Sequence, residues 1–126
     1  MNNPIRLAVQ EHLLPGDTLL SRLMYAQRVH LQGIELPFAG LANRMTTTLS
    51  ALEETRVTIS AVNVGAVHLI HPDYDMREQA IITLREAMML AVDLGASGVI
   101  FMPQGIETPR LPDLHPYKST TELEAE

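Results

Sequence analysis

The sequence predicts an α/β fold: four parallel βα units, half of an eightfold β/α barrel, with the chain ending at the start of the fourth helix. Three observations predict it. Four short apolar runs, Ile5 to Val9, Ile34 to Leu36, Val57 to Val64 and Val99 to Met102, are spread through the 126 residues. Segments of helical periodicity lie between them, near Asp17 to Leu31, Leu41 to Glu54 and Met76 to Leu94. Strands alternating with helices imply parallel pairing through right-handed crossovers. The closing residues, Ser119-Thr-Thr-Glu-Leu-Glu-Ala-Glu126, have the cap and first-turn carboxylates of a helix but no body. A single partial domain over 1–126, truncated at its fourth helix, is therefore the expectation.

The elements follow in order. Ile5 to Val9 alternates weakly and gives way to Gln10-Glu11-His12 and then Leu13-Leu14-Pro15-Gly16, a turn signal. Asp17 is the expected N-cap of a helix carrying Leu19, Leu20, Leu23, Met24 and Val29. Gly33 is expected as its left-handed C-terminal residue, leading into Ile34-Glu35-Leu36, after which Pro37 leaves the strand. Thr46-Thr47-Thr48 weakens the second helix, although Leu41, Met45, Leu49 and Leu52 keep helical spacing. The third strand is expected to close at Asn63. Asp75-Met-Arg-Glu78 has capping-box spacing, and Ala80, Ile81, Leu84, Ala87, Met88 and Ala91 form an apolar stripe that Gly95 ends. Residues 103–118, with Pro103, Pro109, Pro112 and Pro116, read as a long loop.

Composition narrows the function classes. A net charge of −6 disfavours nucleic acid, whose phosphates need a basic surface. The absence of cysteine excludes disulfides and thiolate-bound metals. No apolar stretch approaches the ~20 residues of a membrane span, and the start lacks a signal-peptide layout. A cytoplasmic protein is expected. Three tyrosines and two phenylalanines supply few stacking platforms, and the seven methionines are expected as flexible core filler. The turn after the first strand has one glycine, where a dinucleotide fingerprint needs three and a P-loop also needs a lysine.

An ordered set of segments carries a family resemblance. Gln10-Glu-His-Leu-Leu-Pro-Gly-Asp17, Gly33-Ile-Glu-Leu36, Asp73 through Arg77 before Ala80-Ile81, Ala91-Val-Asp-Leu-Gly-Ala96 and Leu111-Pro-Asp-Leu114 cover nearly the whole chain. Together they resemble the amino-terminal half of the sugar phosphate isomerase/epimerase superfamily, the xylose-isomerase-like TIM barrels. The resemblance implies a divalent metal (Mn, Mg, Co or Zn) that assists proton transfer at a sugar carbon next to a carbonyl. It implies a sugar or sugar phosphate as partner of the intact protein. The family's metal-binding residues lie on strands five to eight, so no metal ligand, no catalytic residue and no cofactor is assigned to this chain.

In a barrel, side chains at the carboxyl ends of strands face the active-site mouth. Six residues there are candidates for substrate binding: Glu11, His12, Glu35, Asn63, His68 and Gln104. Such groups donate and accept hydrogen bonds as sugar hydroxyls require; their alternative role is to bond loop backbone. Glu35 is the sharpest case, because an unpaired carboxylate within an apolar strand is costly. It is expected to face the barrel mouth as a binding or structural group. His68 and His71, with His12, resemble the zinc histidines of the related endonuclease branch, but Pro72 favours a turn and no carboxylate set completes a tetrahedron. Arg77 and Arg110 are open to a phosphate or to surface pairing. Two functions follow: a fragment of a sugar isomerase/epimerase, inactive by itself, or a non-catalytic half-barrel that dimerises or binds a partner through its open edge.

Overall fold

The computed structural model describes residues 4–104. Four strands, β1 (Ala8–Gln10), β2 (Gly33–Pro37), β3 (Thr58–Val67) and β4 (Gly98–Pro103), form one sheet in the order β1-β2-β3-β4. Every pair is parallel. Three helices, α1 (Leu19–Arg28), α2 (Met45–Glu53) and α3 (Tyr74–Asp93), occupy the crossovers. A doubly wound sheet reverses its strand order at a switch point and carries helices on both faces. This order never reverses, so right-handed crossovers put the helices on one face. That is the plan of a barrel wall.

Burial confirms the two-sidedness. Ile34, Leu36, Ile59 and Val62 are buried in one cluster with Leu19, Leu23 and Ala26 of α1, Ala51 of α2, and Ala87 and Ala91 of α3. The alternate residues of β1 and β2, Gln10 and Glu35, lie on the opposite face. Two register shifts bend β3, one opposite Ile34/Glu35 and one between Asn63 and Gly65. Bulges of this kind increase local twist and curl a sheet toward closure. The second one corrects the expected end of β3. The strand does not close at Asn63: Gly65 adopts φ 77°, and pairing with β4 resumes through Val67↔Pro103.

The first strand is shorter and later than the apolar run from Ile5. Ile5 is 86% exposed, and regular pairing begins only at Ala8↔Gly33. The last strand residue of β2 is Pro37, which needs no ladder donor at that position.

Helix ends hold three corrections. Thr18, not Asp17, caps α1: its hydroxyl accepts from Ser21 N at 3.1 Å, while Ser21 Oγ accepts from Thr18 N at 3.1 Å. This is a capping box with serine in the distal place. A Cβ on Gly16 (φ 132°) would fall on Ser21 Oγ, so glycine is required beside it. At the other end, His30 rather than Gly33 is left-handed, at φ 67°. Leu31 N donates to Ala26 O at 2.9 Å and His30 N to Gln27 O at 3.1 Å, the paired bonds of a Schellman motif. Gly33 serves the sheet instead. A Cβ there would stand 3.3 Å from Ala8 Cβ and 3.4 Å from Ser60 Cβ. For α3, Asp73 is the cap, accepting from Asp75 N at 2.8 Å, two residues before the expected box. Gly95 ends α3 as expected, with Ala96 N on Ala91 O at 2.9 Å.

The stripe on α3 is narrower than expected. Ala80, Ala87 and Ala91 are the buried residues, small enough to let the helix approach β3. Met88 is turned about 100° further round the helix and is exposed, with Met89 and Val92. Methionine is therefore not core filler here: Met24, Met76, Met88, Met89 and Met102 are all exposed, and Met45 packs against the core only in part. Among the described residues no helix is long and apolar enough to cross a membrane. The loop expected over 103–118, beyond Gln104, and the terminal helix start lie outside the described residues.

Candidate functional site

The face of the sheet away from the helices carries a polar ladder. Gln10 at the carboxyl end of β1 lies opposite Glu35 of β2. Asn63 of β3 lies opposite Pro37, two residues beyond Glu35, and reaches it diagonally. Glu35 Oε1 accepts from Gln10 Nε2 at 3.2 Å and from Asn63 Nδ2 at 2.7 Å. Asn63 Oδ1 in turn accepts from Gly65 N at 2.8 Å, which holds the amide against the second bulge. Three strands thus converge on one carboxylate. Below the ladder the same face is lined by Ala8, Gly33 and Ser60, small residues that leave the carboxylate standing over a shallow floor.

An open pocket of about 280 Å³ sits over the ladder, lined among others by Gln10, His12, Glu35, Asn63, Val64 and Gly65. His12 reaches it from the single turn of 3-10 helix, Glu11–Leu13, that follows β1. Of the six sequence candidates, the structure brings together His12, Glu35 and Asn63. Gln10 was missed by sequence reasoning. The signal for it is period-two alternation: Ala8 and Gln10 fall on one face and Val9, packed against the core, on the other.

The other three candidates lie elsewhere. Glu11 turns under the rim, 3% exposed, away from the pocket lining. Arg44 grips it with two bonds, Nη1 to Oε1 at 2.8 Å and Nη2 to Oε2 at 2.6 Å, and Arg22 Nη1 adds a third at 3.1 Å. The Arg44 hydrogen bonds hold the Glu11 carboxyl below its ordinary value against the opposing effect of burial, helped by the charges of Arg44 and Arg22. The same pairing raises Arg44. The arrangement clamps the loop after β1 to α1 and to the start of α2. His68 lines a second groove with Phe38, Val67, Met76 and Ala80, and its ring meets His71 edge-on at 5.4 Å. Gln104 acts through its backbone, its N donating to Val67 O at 2.6 Å and its O accepting from Ile70 N at 3.2 Å. Arg77 is committed to the loop, donating to His71 O at 2.7 Å and Pro72 O at 2.8 Å.

The pocket offers one carboxylate and one imidazole, short of a metal's ligand set, and no group of three or more His, Asp or Glu that could hold a metal occurs among the described residues. It gathers one carboxylate, two amides and a histidine at the carboxyl ends of parallel strands.

Solved structures share this architecture. One is 3-keto-D-glucoside 4-epimerase from E. coli in its apo form, with a TM-score of 0.67 at 15% identity over 76% of this chain and 37% of that one. The fold is part of a TIM barrel. A xylose isomerase domain protein from Alicyclobacillus acidocaldarius is also similar, with a TM-score of 0.56 at 15% identity over 75% of this chain and 35% of that one. The chain therefore spans little more than a third of the length of these solved structures. No protein-family model and no curated protein matches it. The barrel expected from the spacing of the four βα units is borne out, and the structures it matches are of the sugar epimerase and xylose-isomerase-like kind.

Proposed function

We propose that the chain is the amino-terminal, carbohydrate-contacting part of a sugar isomerase/epimerase-like barrel, with Glu35 as the central acceptor for ligand hydroxyls. The observation that carries this is the ladder: Glu35 holds two side-chain amides from neighbouring strands at the carboxyl ends, where barrel enzymes gather their ligands. Gln10, His12 and Asn63 complete the contact surface. The epimerase named above acts on a 3-keto-D-glucoside, a ligand of this class. Proton transfer and a divalent metal belong, in this reading, to residues beyond 4–104, so the described part binds and orients but does not catalyse. A cytoplasmic setting without nucleic-acid partners goes with the same reading.

Equilibrium dialysis of the 126-residue chain against radiolabelled D-glucose tests it. Glu35→Ala is expected to weaken binding at least tenfold, and Arg28→Ala, on the outer helix surface, to leave it unchanged. Equal binding by wild type and Glu35→Ala contradicts the reading.

A second reading has its own support. Ile100, Phe101 and Met102 of β4 are large, apolar and exposed, and β4 has no partner on its outer side among the described residues. Edges of this kind recruit a further strand. Self-association of two half-barrels through β4 would cover it. Light scattering on a sizing column gives a dimer if so, and a monomer at all concentrations sinks it.

A further inference from the structure

Glu35 has no ion-pair partner among the described residues. The two ion pairs among the described residues both belong to Glu11. Both terminal nitrogens of Arg44 are on Glu11, and Arg22 divides itself between Glu11 and Gly16 O at 3.0 Å. Among the described residues no lysine or arginine lines the pocket over the ladder. The whole chain carries −6. We propose that this pocket receives the neutral, hydroxyl-bearing face of a sugar, with adjacent hydroxyls on Glu35 and Gln10, and excludes a phosphoryl group.

The inference rests on the carbohydrate reading above and names the ligand's charge. Both amide donors of the ladder converge on Glu35 Oε1. Oε2 has no hydrogen-bond partner among the described residues, and neither has the amide oxygen of Gln10. The vacant positions therefore include two acceptors, one of them charged. A hydroxyl can donate to each and still accept from the second hydrogens of the Gln10 and Asn63 amides. A phosphate dianion has no proton to give, and a bare carboxylate repels it. Arginines placed to recognise phosphate would stand free and forked toward the pocket. Here both are turned to Glu11.

The test compares D-glucose with D-glucose 6-phosphate and D-glucose 1-phosphate, read at the Gly65 amide of the isotope-labelled 126-residue chain. The expected dissociation constant is at least tenfold lower for glucose than for either phosphate. Glu35→Gln should narrow that gap below threefold, since the amide keeps the shape and removes the charge. Raising the salt on the wild type should narrow it too, through the phosphates alone, because screening weakens only the charged repulsion. A sugar phosphate that binds as tightly as glucose overturns the neutral-ligand assignment and leaves the carbohydrate reading standing. A gap unmoved by both Glu35→Gln and salt removes the role of the carboxylate charge. No response to any of the three sugars overturns both readings together.

Discussion

At the scale of single residues, a buried group is stable only if its chemistry is answered, and two buried polar residues show both outcomes. Glu11 is answered by two arginines, which explains why a carboxylate survives at 3% exposure. Arg44→Ala removes the bidentate partner and is expected to cost about 2 kcal/mol of stability in urea unfolding, at the low end for such pairs because the guanidinium is partly exposed. The pH dependence has a definite sign. The folded carboxyl lies below its ordinary value of 4.5, so the clamp contributes fully above that pH and is lost as pH falls through the lower folded value. Glu11→Gln should flatten the acid limb of the stability curve below pH 4.5 while lowering the neutral plateau. Thr48 is the opposite case: its hydroxyl is buried with no hydrogen-bond partner among the described residues. Thr48→Val keeps the shape and removes the orphan, and thermal denaturation should show a gain of about 1 kcal/mol. The facing of Glu35 away from the apolar core was legible from its place between Ile34 and Leu36. Glu11 was legible only as a polar residue after a strand, because Arg44 is remote in sequence and nothing local announces the pairing.

At the scale of elements, periodicity located the three α-helices and four strands of the described residues, and capping chemistry decided where the helices end. Leu36, Val62 and Ala87 fall on the buried face because period-two and period-3.6 patterns place them there. The ends were less legible, since several residues can fill one role. Asp17 and Thr18 are both good caps, and the choice went to Thr18 because Ser21 could return the bond. Gly33 was the expected left-handed residue, yet close approach to Ala8 and Ser60 claimed it and His30 took the φ 67° position. His30→Gly therefore relieves a left-handed side chain, and a stability gain of about 1 kcal/mol is expected from the denaturation midpoint. Gly16→Ala should do the reverse, because its Cβ would fall on the capping serine. The bulges in β3 had no sequence signal except Gly65, so the strand's true length was hidden.

At the scale of the whole molecule, the sheet has one face closed by helices and, among the described residues, one face open. The closed face holds the apolar cluster and makes the fold. The open face is the inner wall of a barrel, polar where Gln10, Glu35 and Asn63 meet and apolar along β4. Strand order gave this division its meaning: a sheet ordered β1-β2-β3-β4 has an inside even when only four strands enclose it. The four βα units were readable from alternation alone. Which of the strand-end residues would meet on the open face was readable only in part, because their meeting depends on register and on two bulges. The most direct test of that division is a two-dimensional NMR titration of the isotope-labelled chain with D-glucose, following the side-chain amides of Gln10 and Asn63. Both are expected to move together with the Gly65 backbone amide, while signals around His68 and Met76 stay still. Shifts confined to the His68 groove, or none at the ladder, would contradict it.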